Sequence, residues 1–232
     1  MKQILKRLLR RTLRPADGVA PNMDGTEFET NNWILSDFVL HRLVPVVGIH
    51  PYPLNELMFM AGVICRFRPS HVFEWGTNIG SSARIFYETG RFFKIPLEIH
   101  SVDLPGDIAH VEHPGQSCGR LVKNKPGVFL HLGDGLETSL SICRRISGNK
   151  RALFFVDGDH SYDSVKRELE ALLKNVADPV VLLHDTFYQS PSSGYNTGPH
   201  RAIHDVLQDP ACVREFKTLA TNTGLPGMTV IY

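Results

Sequence analysis

Phe73-Glu74-Trp75-Gly76-Thr77-Asn78-Ile79-Gly80-Ser81-Ser82 joins a short apolar strand at 71–74 to a helix predicted from Gly80 to Thr89. Gly76 and Gly80 allow a tight backbone and the close approach of a ligand, and the helix that follows presents free N–H groups. The spacing is G-x-x-x-G. It is therefore neither the G-x-G-x-x-G dinucleotide fingerprint nor a P-loop, since no Gly-Lys-Ser/Thr follows. A carboxylate at Glu74, at the strand end, suits a cationic amino group better than a phosphate. The plainer reading is an ordinary glycine-containing strand-to-helix turn.

Around this turn the chain alternates. Strands are predicted at 71–74, 97–102, 128–132, 152–156, 179–183, 216–220 and 228–232. Helices are predicted near 34–43 (closed by Pro45), from Pro53 to Pro69, and at 80–89, 136–146, 161–176 and 200–207. Ala152 to Val156 and Pro179 to Leu183 are continuously apolar, as strands buried on both faces are. Such alternation predicts an α/β fold. The sheet is Rossmann-like, seven-stranded and mostly parallel, with helices on both faces. The last two strands lack an intervening helix and predict an antiparallel edge strand. Right-handed crossovers bring every strand-to-helix turn to one sheet edge, where ligands bind.

The 232 residues divide into an extension, 1–50, and a domain, 51–232. The formal net charge of +1 hides an asymmetry: residues 1–14 hold six basic residues and no acid, so the rest is mildly acidic. That argues against a nucleic-acid surface on the domain. In the first 14 residues Ile4 and Leu8 share a helical face beside Leu5, Leu9 and Leu13. This basic amphipathic helix is solvated or packed on the domain, is held at an anionic membrane surface, or is a cleaved organellar transit segment. The four cysteines form no C-x-x-C pair, so a reducing, cytoplasmic setting is expected. No apolar run reaches the roughly 20 residues that span a bilayer.

Acids end the other strands. Asp103 follows Gly80 by 23 residues, where a ribose hydroxyl pair is usually held; a helix cap is the alternative. Asp134 stands in Leu132-Gly133-Asp134-Gly135, either to receive an adenine amino group or to cap a helix. Asp157, in Val156-Asp157-Gly158-Asp159-His160-Ser161-Tyr162, and Asp185, in Leu183-His184-Asp185-Thr186, lie one strand–helix–strand unit apart. Two carboxylates converging there need a cation, and Mg²⁺ with oxygen ligands is the first expectation. The spacing His110-Val-Glu-His113 looks metal-like, but it falls in a Gly/Pro loop.

The stretches FEWGTNIGSSA, IHSVDLPGD, HLGDGLE, LFFVDGDHSYDSVKRELE and VLLHDTF, across residues 53–208, resemble class I S-adenosylmethionine-dependent methyltransferases. Within them the chain looks like the branch with sugar and macrolide O-methyltransferases and cephalosporin-hydroxylase-like proteins. The resemblance implies a reversed last strand and S-adenosylmethionine as cofactor. It implies cofactor contacts from Glu74, Gly76, Thr77, Asn78, Gly80 and Ser81, with Asp103 at the ribose and Asp134 near the adenine. It also implies a divalent metal, Mg²⁺ first, held by Asp157, His184 and Asp185, and His160 as general base. Metal-dependent relatives have an acidic pair where this chain has His184-Asp185.

The expected reaction is methyl transfer to a hydroxyl of a sugar or small-molecule natural product. The acceptor is a small molecule or glycan. A homo-oligomer and peripheral membrane contact through residues 1–14 are the further associations considered. The competing reading is a cofactor-binding module without activity. The loop 187–199, with Tyr188, Tyr195, Gly194 and Gly198, is a candidate acceptor loop with glycine hinges.

Overall fold

A computed structural model of the protein describes residues 30–106, 117–146, 151–188, 192, 194–210, 212, 214–221 and 223–232. The basic segment 1–14 and the His110/His113 spacing lie outside the described residues.

The first helix, α1 (Asn32–Phe38), starts where the Asn31 side chain accepts the Ile34 N–H at 3.2 Å. It runs through a π turn, Val39–Leu43, into α2 (Val44–Val47). Pro45 therefore does not close the helix. It sits in the first turn of the resumed segment, where a missing N–H costs nothing. Leu35, Phe38, Val39 and Leu43 are buried, so this segment contributes to the core ahead of residue 50. Helix α3 (Leu54–Phe67) ends at Arg68 in a left-handed conformation, just before Pro69.

Strand β1 (His71–Trp75), helix α4 (Ser81–Phe92), β2 (Glu98–Asp103), β3 (Val128–Leu132), α5 (Gly135–Cys143), β4 (Ala152–Val156), α6 (Tyr162–Asn175), β5 (Pro179–His184), α7 (Gly198–Gln208), β6 (Thr218–Ala220) and β7 (Met228–Ile231) follow. Asp134 caps α5 and Ser161 caps α6, each accepting an N–H three residues on.

The seven strands lie in the order β3-β2-β1-β4-β5-β7-β6. β1 to β5 are mutually parallel; β7 is antiparallel to both β5 and β6. The reversed strand is thus one place in from the edge. The hairpin formed with β7 puts β6 outermost, which refines the expectation of a reversed edge strand.

Alternation along the strands divides the core. Val72, Leu153, Phe155, Val180 and Leu182 face α1, α3 and α4. Phe73, Trp75, Phe154, Val156, Val181 and Leu183 face α5, α6 and α7. The same alternation puts Glu74 and His184 on the α3/α4 side, at the carboxyl ends of their strands.

Candidate functional site

The carboxyl edge of the sheet carries two adjoining groups of side chains. The first is the turn after β1. Gly76 takes φ +92°, and a methyl group there would lie 2.3 Å from the Asp157 carbonyl oxygen. Only a glycine lets the β1 and β4 turns meet this closely. Gly80, with φ +87°, caps α4, and a methyl there would press on a Val122 side-chain carbon at 2.9 Å and make ordinary contact with the Gly119 backbone at 3.4 Å. Gly76→Ala is expected to be the more damaging of the two alanine changes. The backbone conformation alone costs about 1–3 kcal/mol, and the clash is with immovable backbone. Thermal denaturation of both variants checks the ranking; a milder effect for Gly76→Ala would contradict it.

Asp103 locks the turn. Its Oδ2 accepts the exposed Asn78 N–H at 2.9 Å and its Oδ1 accepts the Leu104 N–H at 2.8 Å. Ser81 opens α4 and is buried. Glu74 is fully buried, with Oε1 accepting from Ser101 Oγ at 2.6 Å, and Ser101 in turn pairs with Thr77 at 2.6 Å. Burial raises the Glu74 carboxyl to about 7, against the hydrogen bonds from Ser101 and Ser82. Glu74 and Thr77 therefore brace the turn from below, while Gly76, Asn78 and Asp103 form its open side. Asp134 is engaged as the α5 cap, its other oxygen 3.2 Å from the Arg167 guanidinium.

The second group lies where β4, β5 and α3 meet. His184, 5% exposed, is clamped between two carboxylates: Nδ1 is 2.9 Å from Asp157 Oδ1 and Nε2 is 3.0 Å from Glu56 Oε2. Burial pushes the imidazolium toward losing its proton. The Asp157 charge and hydrogen bond, the Glu56 hydrogen bond and the Asp185 charge outweigh it and raise His184 to about 10. The same pairing holds Asp157 below the ordinary carboxylate range, against the effect of its burial. Tyr52 donates to the second Asp157 oxygen at 2.5 Å, and burial and Asp157 keep that phenol protonated. Glu56 Oε1 accepts the Gly227 N–H at 2.8 Å.

The expected metal set of Asp157, His184 and Asp185 does converge: His184 Nδ1 lies 2.9 Å from Asp157 Oδ1 and 3.9 Å from Asp185 Oδ1. A metal-bound imidazole must offer a lone pair. Here both ring nitrogens face carboxylates, and the raised His184 pKa favours the protonated ring when no ion is bound. In that state His184 itself places a positive charge between Asp157 and Glu56.

His160 lies at the rim, half-buried. Its Nδ1 is 3.4 Å from Asp185 Oδ2, and its Nε2 is 3.9 Å from Asp157 Oδ1, beyond hydrogen-bond reach. Tyr195 donates to Asp185 Oδ1 at 2.5 Å, and Asp185 takes a left-handed φ of 56°. Asn196 donates to the His160 carbonyl at 2.6 Å, and Gly198 packs against the backbone of His160 and Tyr162. Gly198 is thus a close-approach glycine, not an open hinge; Gly194, with φ +73°, has open space around its α-carbon. Asp159 is consumed locally by Ser161 and Ser164.

Tyr52, Glu56 and Asn196 were not foreseen. Glu56 left one trace: it shares a helical face with Met60, Val63 and Phe67, and an acid on an apolar face needs a buried partner. Tyr52 and Asn196 stand in irregular segments that show no periodicity to read.

No protein-family profile matches the chain, and no curated protein matches it by sequence. Solved structures do. A methyltransferase of Podospora anserina, bound to S-adenosylhomocysteine, superposes with a TM-score of 0.54 at 16% identity, covering 99% of this chain and 95% of that one. The O-methyltransferase of tomaymycin synthesis from Streptomyces achromogenes, in complex with S-adenosylmethionine, gives 0.57 at 16% identity, covering 82% and 87%. A calicheamicin methyltransferase, described as a TDP-rhamnose 3'-O-methyltransferase, gives 0.53 at 14% identity, covering 100% and 94%. With its strand order, its reversed β7 and its ligand edge, the chain has the Rossmann-like methyltransferase fold.

Proposed function

We propose that the protein is an S-adenosylmethionine-dependent O-methyltransferase acting on a hydroxyl of a sugar or other small-molecule natural product. The observation that carries this reading is the direct contact between the two groups at the sheet edge, where the Gly76 turn abuts the Asp157 backbone. S-adenosylmethionine, held by the turn, would supply the methyl group to an acceptor at the adjoining His160 rim. The open side of the turn, Gly76, Asn78 and Asp103, with Gly80 at the head of α4, binds the cofactor. Asp103 receives the ribose hydroxyls with the oxygen capacity its two N–H bonds leave. Asp134, already engaged twice, serves as framework.

In the reaction the acceptor oxygen attacks the methyl carbon and the C–S bond breaks, leaving S-adenosylhomocysteine. The acceptor proton passes to His160 Nε2, while Asp185 orients the ring through Nδ1 and is itself fixed by Tyr195. The sugar acceptor is supported by the TDP-rhamnose methyltransferase among the structural neighbours.

We assign no step to a divalent ion, because the His184 imidazolium offsets part of the Asp157 and Glu56 charge. Adding Mg²⁺ to chelator-treated enzyme is expected to leave turnover unchanged; many-fold stimulation would restore the metal. Titration calorimetry with S-adenosylmethionine, followed by methyl-transfer assays on nucleotide sugars read by mass spectrometry, tests the function. Absence of cofactor binding overturns it. Binding without transfer to any hydroxyl acceptor favours a cofactor-binding module instead.

A further inference from the structure

At the opposite, amino-terminal edge of the sheet lies a cluster that the proposed reaction does not use. His71 begins β1 and Glu98 begins β2, directly paired in register, and His100 follows two residues on, facing the same side. Their ligand atoms lie within 4.8 Å of one another, and among the described residues this is the one such group of three. His71 Nδ1 is 3.7 Å and His100 Nε2 is 4.0 Å from the same oxygen, Glu98 Oε2.

His100 is only 8% exposed, yet its Nε2 has no hydrogen-bond partner. A buried, unpaired ring nitrogen aimed at a carboxylate is costly unless a ligand completes it. The other nitrogen is engaged: Nδ1 lies 3.2 Å from His131 Nε2. An outer hydrogen bond of this kind fixes the tautomer of a metal-binding imidazole. The ring itself is held flat between Phe73 and Phe129, with centroids 5.0 and 5.2 Å away.

We propose that His71 Nδ1, Glu98 Oε2 and His100 Nε2 form a zinc site, with His131 as the outer partner of His100 and a fourth position open to solvent. Two imidazoles and one carboxylate are a ligand set zinc favours, with bonds of about 2.1 Å that put ligand atoms about 3.4 Å apart. Glu98 Oε2 lies 3.7 and 4.0 Å from the two ring nitrogens, and all three ligand atoms lie within 4.8 Å of one another. Glu98, whose side chain is half exposed, supplies movement toward the two rings and the route from solvent. The site lies across the sheet from the methyl-transfer edge, so its role is to tie β1 to β2, independent of the reaction.

The test uses the untagged full chain, zinc titration calorimetry and metal analysis after gel filtration. One zinc per chain is expected, with a raised melting temperature. Glu98→Gln and His100→Phe should each lose stoichiometric zinc. Phenylalanine at 100 continues the aromatic stack, so the variant should stay folded, which circular dichroism checks. His131→Ala should weaken binding about 10–100-fold, and His160→Ala should leave it unchanged. Cobalt in place of zinc should give visible bands that vanish in His100→Phe. Absence of stoichiometric zinc in the wild type, or zinc retained undiminished in both ligand variants, overturns the site.

Discussion

His160→Ala is expected to lower methyl-transfer turnover by about 10²–10⁴-fold while S-adenosylmethionine affinity stays unchanged. The imidazole stands at the rim with Nε2 outside hydrogen-bond range of Asp157, so removing it deletes the proton acceptor and leaves the Gly76 turn intact. Asp185→Asn should reproduce part of the loss, because the Asp185 carboxylate lies 3.4 Å from Nδ1. Added imidazole should partly restore His160→Ala if the missing element is a base. Single-turnover rates and cofactor calorimetry on the same preparations separate chemistry from binding. Unaltered turnover would remove His160 from the role; lost cofactor affinity would make it a framework residue.

The second large effect concerns the buried ion triad. His184→Leu should destabilise the fold by about 3–5 kcal/mol, since Asp157 and Glu56 would remain buried without their cation. The pH dependence follows from the direction of the shift. His184 in the folded protein titrates at about 10, above the roughly 6.5 of an unfolded histidine. Its stabilisation is therefore fully present below the unfolded value and is lost as pH rises through the folded one. Glu56→Gln tests this sharply. The amide oxygen still accepts the Gly227 N–H, but the amide NH₂ cannot receive a proton from Nε2. His184 must then become neutral at lower pH, and the alkaline loss of stability should begin earlier than in the wild type. Urea unfolding from neutral to alkaline pH measures it. A profile for Glu56→Gln superimposable on the wild type would show that the ring carries no charge in the fold.

The strands and helices of this protein were legible because their signals are local. Ala152 to Val156 and Pro179 to Leu183 read as doubly buried strands from apolar continuity alone. Gly76 and Gly80 announced a close approach at a turn. Acids at 103, 134, 157 and 185 announced the strand ends that a parallel sheet gathers at one edge. The sequence by itself thus determined the α/β architecture and the edge at which chemistry would be found. It did not determine what each polar side chain would meet there. Asp134 could cap or bind, and the tertiary structure shows the cap and adds Arg167 of α6 as a second partner at 3.2 Å. His184 looked like a metal ligand while Glu56 was invisible to it, 128 residues away. Only the tertiary structure, by folding α3 against β5, put a second carboxylate on the ring. Charge states and partners belong to the assembled fold, because burial and Coulomb interaction act between groups that chain spacing does not relate.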